Sequence, residues 1–171
     1  MITCFPPVVH HNCRAIILGS MPGVKSLEQN EYYAHKQNAF WHIMHRHFKV
    51  YEDFTYKQRI KMLLNNNIAL WDVIASCKRK GSLDSSIKSE TIIVNDFPDI
   101  LLENPNLKYI FCNGNAAYTA FNKHVLKDLD HFLDIEVIKL PSSSPANTRM
   151  TKEEKVKAWE IIKEKLIEKE D

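Results

Sequence analysis

Apolar residues recur along this chain in two rhythms. Four short runs, Ala15 to Leu18, Ile68 to Trp71, Lys108 to Cys112 and Ile135 to Leu140, are mostly aliphatic and each is followed by turn-forming residues. That pattern predicts buried strands. Between them the apolar positions fall at helical spacing: Phe40, Ile43, Met44, His47 and Phe48 on one face, then Ile60, Leu63 and Leu64 on another. Asn95 and Asp96 offer caps for a short helix from Phe97 to Leu102 that Pro105 stops. Ala116 to Leu126 predicts a further helix. Thr151 and Glu154 form a capping box that opens the last one, with Val156, Trp159, Ile162 and Leu166 as its core face. Strands alternating with helices predict a three-layer α/β/α sandwich around a central, mainly parallel four-stranded sheet. No repeat or linker interrupts the 171 residues, so a single domain over residues 1–171 is expected.

Ligands of open parallel sheets bind beyond the carboxyl ends of the strands. Three unusual segments follow three of the predicted strands, or lie shortly after them, and would meet at that rim. Gly19-Ser20-Met21-Pro22-Gly23 is a tight loop in which backbone N–H groups can approach a ligand, yet it lacks the Gly-Lys-Ser/Thr ending of a phosphate loop. Soon after it come Tyr32 to Trp41, where aromatics, amides and His35 crowd ahead of a helix. Tyr33 and Asn38 suit stacking on, and edge recognition of, a flat polar ring, whereas Phe40 and Trp41 read as core. Pro141-Ser142-Ser143-Ser144-Pro145-Ala146-Asn147 is a stiff loop rich in donors for phosphate oxygens. Asp72, at the end of the second strand, reads either as a turn cap or as a water-activating carboxylate.

Composition changes this picture little. A balance of 23 basic against 21 acidic residues is too even to announce a polyanion partner, although Lys78, Arg79 and Lys80 form a local basic cluster. The Lys and Glu alternation near the C-terminus reads as a solvated helix face. No apolar run approaches the ~18 residues of a membrane span, and Met1 to His11 lack the pattern of a secretory signal. A cytoplasmic protein without membrane contact is expected. Cys4, Cys13, Cys77 and Cys112 are scattered with no C-x-x-C pair, so neither a disulfide framework nor a metal site is expected.

Taken in order, these segments resemble the uracil-DNA glycosylase superfamily, and within it the hypoxanthine (deoxyinosine) DNA glycosylase branch. Gly19 to Gly23 with Tyr32 to Trp41 is similar to its first motif, and Pro141 to Asn147 to its second, the DNA-penetrating loop. Leu70-Trp71-Asp72-Val73, Cys77 to Asp84, Val94-Asn95-Asp96 and Phe111-Cys112-Asn113-Gly114 extend the resemblance over about residues 14 to 160. It implies a metal-free and cofactor-free hydrolase that flips a damaged nucleotide out of double-stranded DNA and cuts its base from the sugar. It implies Asn38 and Asp72 as catalytic candidates, and Gly19, Ser20, Met21, Gly23, Tyr33 and Asn113 around the base. Gly81, Ser82, Pro141, Ser142, Ser143, Ser144, Ala146, Asn147 and Arg149 would face DNA, with the protein acting as a monomer. Two positions depart from the wider superfamily. Met21 stands where mismatch-specific relatives carry a water-positioning Asn, and Leu140 where the uracil-specific enzymes begin their second motif with His. Both departures point to hypoxanthine rather than uracil. A uracil or mismatch glycosylase, or an inactive binding module of the same fold, stays open as an alternative.

Overall fold

The computed structural model describes residues 1–168, so the end of the Lys and Glu alternation, residues 169–171, lies outside the described part. In chain order the elements are β1 (Ile2–Thr3), β2 (Ala15–Gly19), α1 (Val24–Gln29), α2 (Phe40–Phe48), α3 (Tyr56–Asn65), β3 (Ile68–Asp72), β4 (Ile74–Cys77), β5 (Ile93–Val94), α4 (Phe97–Glu103), β6 (Tyr109–Asn113), α5 (Asn115–His124), β7 (Glu136–Leu140), α6 (Lys152–Ala158) and α7 (Glu160–Ile167). The four expected strands form one sheet in the order β3-β2-β6-β7, every neighbouring pair parallel.

Alternation along the strands splits the core in two. Ala15, Ile17, Ile68, Leu70, Phe111 and Leu140 point to one face, packed with Phe40, Ile43 and Met44 of α2, Leu63 of α3, and Val156, Trp159 and Ile162 near the C-terminus. Ile16, Leu18, Ala69, Trp71, Ile110 and Cys112 point to the other, against Phe97, Ile100 and Leu101 of α4 and Ala117 and Phe121 of α5. β2 and β3 are therefore buried on both faces, which is why their sequences are continuous apolar runs rather than alternating ones.

Four differences from the sequence expectation bear on the site. A second, three-stranded sheet, β1-β4-β5, is antiparallel and had no counterpart in the apolar pattern, since its strands are only two to four residues long. β4 leaves β3 at once: Val73 N donates to Gly19 O (2.8 Å) and Ile74 N to Ser20 O (3.1 Å), turning the chain across the first loop. The last helix divides at Trp159, where Ile162 N donates to Trp159 O in a tightened turn, yet Val156, Trp159 and Ile162 keep their shared core face. Of the two expected caps only Asp96 caps α4, accepting from Asp99 N (3.1 Å). Asn95 instead donates from Nδ2 to the backbone carbonyl of Asp72 (2.7 Å). Among the described residues no helix is long and apolar enough to cross a membrane.

Candidate active site

The carboxyl ends of β2, β3 and β6 open into a cavity of about 290 Å³. That is the small end of the range for ligand cavities, ~300–1,000 Å³, and suits one flat ring better than a whole nucleotide. Gly19, Ser20, Met21 and Gly23 line it on one side, Tyr33, Asn38, Asp72 and Asn113 on another, and Ser82, Ser142, Ser143, Ser144 and Ala146 at its edge. A wider, more open recess at the amino ends of the same strands, beside Arg14 and Asn67, gathers no comparable set of groups.

Gly19 lets this floor exist. A Cβ there would stand 2.6 Å from Asp72 Oδ1 and 3.4 Å from the Tyr33 hydroxyl, so any larger residue would displace the carboxyl. The segment from Cys77 to Asp84 folds back over the loop and fixes it. Arg79 Nη2 donates to Pro22 O, Ser20 Oγ donates to Asp84, and Ser82 Oγ accepts from Val24 N (2.8 Å), capping α1 from outside the helix. Ser82 thus has a structural bond besides any role toward DNA. Met21 is buried against Ile74 and Cys77, so of this residue mainly the backbone is available to a ligand.

Tyr33 holds φ = +55°, a left-handed conformation that costs a bulky residue roughly 1–2 kcal/mol. Two contacts keep it there. Its ring stacks on Phe40 at 3.9 Å and 20°, and its hydroxyl accepts from Asn113 Nδ2 (3.3 Å). Phe40 and Trp41 are buried core residues, as their spacing predicted. The Asn113 amide is committed on both sides: Nδ2 also donates to Ser143 Oγ (2.9 Å), and Oδ1 accepts from Ser143 N (2.9 Å). Asn113 therefore braces the Tyr33 segment to the serine loop.

Internal hydrogen bonds also hold the serine loop. Ser143 is only 1% exposed, tied to Asn113 through Oγ, while its carbonyl accepts from Ala39 N (3.0 Å). It cannot grip a phosphate without breaking that network. Ser142 and Ser144 remain partly exposed, their Oγ atoms accepting only from backbone amides at Ser144 and Ala146. Asn147 donates from Nδ2 to Ser142 O (3.1 Å), and Lys155 donates from Nζ to Ser144 O (3.0 Å), so both shape the loop. Pro141 supplies the carbonyl that accepts from Trp159 Nε1 (2.8 Å). Gly114, at φ = +94°, lets the loop lie close, since a Cβ there would come within 2.9 Å of Ser142 Cβ. Ala146 lines the opening, and Gly81 and Arg149 are exposed.

Two side chains that line the cavity keep unused hydrogen-bonding capacity. Asn38 Oδ1 accepts from Phe40 N (3.0 Å), holding the first turn of α2, while among the described residues its Nδ2 has no partner. Asp72 is 4% exposed, and its Oδ2 is buried with no hydrogen bond. Burial first, and the nearby Asp84 second, push its carboxyl up to about 7, against a smaller opposing pull from Arg79. The turn-cap reading of Asp72 is thereby corrected, because no backbone N–H meets the carboxyl. The sequence reading missed Asn95 as the anchor of Asp72, Asp84 as its charged neighbour, and Lys155 and Trp159 as supports of the serine loop. None had a local signal, since each acts on a segment far away in the chain. The capping box of Thr55 with Gln58 was visible as T-x-x-Q and opens α3. The four cysteines are free, and among the described residues no three His, Cys, Asp or Glu side chains converge as a metal site would need.

The site is a cavity of about 290 Å³ on the carboxyl edge of a parallel sheet, beside a hydroxyl-bearing loop. The chain belongs to the uracil DNA glycosylase superfamily, whose profile matches residues 6–163. It is 35% identical over 159 residues to a hypoxanthine DNA glycosylase of Methanosarcina acetivorans, covering 92% of this chain and 95% of that one. It is 36% identical to a hypoxanthine DNA glycosylase of Methanosarcina barkeri, covering 88% and 91%. A solution NMR structure of a candidate uracil DNA glycosylase from Methanosarcina acetivorans superposes with a TM-score of 0.79 at 33% identity, covering 97% of this chain and 98% of that one.

Proposed function

We propose that this chain, as a single monomeric domain in the cytoplasm, is a DNA glycosylase that excises hypoxanthine from double-stranded DNA by flipping the nucleotide into the cavity. The observation that carries this reading is the cavity itself: a ring-sized space bounded by the Tyr33 ring, the Asn38 amide and the Asp72 carboxyl, beside the serine loop. The names of the two Methanosarcina relatives agree with the substrate. So does Leu140, 1% exposed in the core, which offers no imidazole toward a departing uracil oxygen.

In this reading the flipped base stacks on the outer face of Tyr33, and amides of the Gly19 to Gly23 loop meet its edge. Asn38 Nδ2 donates to the base or aligns the attacking water. The C1′–N bond breaks through an oxocarbenium-like sugar, and hydrogen bonds to the departing base stabilise its growing charge. Water completes the hydrolysis, with no lysine Schiff base and hence no strand cleavage. Single-turnover assays on duplexes carrying one lesion test the assignment. Hypoxanthine is expected to leave faster than uracil, with the strand intact until alkali is added. Equal or faster uracil release would overturn the substrate, and release of no base from any duplex would leave a binding module.

Phosphate binding has its own test. Ser142→Ala combined with Ser144→Ala, and separately Arg149→Ala, are expected to weaken DNA binding and lower its salt dependence, about one unit of slope per lost phosphate contact. A binding isotherm series in rising salt that keeps the wild-type slope would mean that this loop faces away from the backbone.

A further inference from the structure

We infer that the Asp72 carboxyl is the proton donor to the departing purine, delivering its proton to N7 of the base as the glycosidic bond breaks. This rests on the glycosylase reading above. The geometry carries it. Asp72 ends β3 inside the cavity wall, 4% exposed, with Oδ2 buried and unpartnered. Its backbone is fixed by Asn95 Nδ2 on one side, and the bare Cα of Gly19 leaves room for Oδ1 on the other. A buried carboxyl oxygen with no partner in the protein is costly to maintain, and such groups are satisfied by a ligand or used in chemistry. Asp72 lines the cavity that is fitted to a ring.

The surroundings favour the neutral acid. The groups facing Asp72 are Asp84 from the Cys77 to Asp84 segment, Arg79 behind it, Tyr32 and Tyr33 from the first motif, and Cys4 beside β1. Burial and Asp84 outweigh Arg79 and hold the carboxyl near 7, close to working pH, where a general acid is most effective. The balance is complete. As C1′–N9 breaks, its electron pair moves into the purine ring, Asp72 gives its proton to N7, and the base departs neutral. Water adds to C1′ and sheds one proton, which reprotonates Asp72 through solvent. A pyrimidine has no N7, so the device is specific to purines.

The test is a single-turnover pH–rate profile of hypoxanthine release. The wild type is expected to lose rate about tenfold per pH unit above about 7. Asp72→Asn should be slower by ~10²-fold or more below that limb, with a flat profile. Folding separates role from collapse. The carboxyl ionises near 3.8 in the unfolded chain and near 7 in the folded one. Between these values the folded state holds the extra proton, so stability falls as pH rises, and the buried charge burdens the fold above about 7. Asp72→Asn should therefore be at least as stable as wild type at high pH. Asp84→Asn offers a second handle that leaves Asp72 in place, and should move the limb to lower pH. On a duplex carrying 7-deazahypoxanthine, wild type and Asp72→Asn should be equally slow. A limb that persists in Asp72→Asn, a wild-type rate in that variant, or a wild-type profile that rises through 7 as a general base would, each overturns the assignment. Release of no base by the wild type from any duplex would overturn the glycosylase reading instead.

Discussion

Asn38→Ala is expected to lose ~10²-fold or more of the single-turnover cleavage rate while still binding DNA, the usual loss when one pre-aligned donor is removed from a reacting site. The Asn38 side chain has two separable functions. Oδ1 holds the first turn of α2 through Phe40 N, while in the proposed reading Nδ2 donates to the base or the water. Alanine removes both, and the lost hydrogen bond costs about 1 kcal/mol of stability. Asn38→Asp separates them, because a carboxylate keeps the acceptor for Phe40 N and loses the donor. It should melt like the wild type and cleave as poorly as the alanine variant. Wild-type cleavage by either variant would remove Asn38 from the chemistry and leave it a turn-stabilising residue ahead of α2.

Trp159→Ala is expected to destabilise the fold by about 3–5 kcal/mol, the range for emptying a large aromatic from a core. That is a large share of the ~5–15 kcal/mol that holds a typical domain together. Trp159 is fully buried, sits edge-on to Phe40 at 5.9 Å, and donates from Nε1 to Pro141 O at 2.8 Å. It therefore joins the C-terminal helices to the first motif and to the serine loop at once. Denaturant unfolding measures the loss directly, and a change under about 1 kcal/mol would contradict the packing described. Trp159→Phe keeps most of the apolar area but leaves the Pro141 carbonyl without its donor. It should stay folded and bind DNA more weakly than wild type, because the loop is no longer held to the junction of α6 and α7.

Both variants concern residues whose importance the sequence revealed unevenly. Asn38 stood out as a candidate because a polar amide among aromatics, ahead of a helix, is a local anomaly. Trp159 was legible as core but not as a support of the serine loop, since a hydrogen bond spanning 18 residues leaves no pattern. Ser143 and Asn113 show the limit from the other direction. Both carry the polar chemistry of binding residues, and the fold instead uses them on each other.

By itself the sequence determined the four-stranded parallel sheet, the helices that cover it, and the three segments that converge at its carboxyl edge. Strand and helix periodicities are local properties of the backbone, and a doubly buried strand must be apolar along its whole length, so those elements were written in runs of a few residues. Tertiary structure alone decided which polar groups stay free for a ligand. Whether Asp72 meets a backbone amide or a cavity depends on where Gly19, Asn95 and Asp84 lie, residues 12 to 53 positions away in the chain. Burial and neighbouring charge then set its protonation, and neither quantity exists until the chain has closed around it.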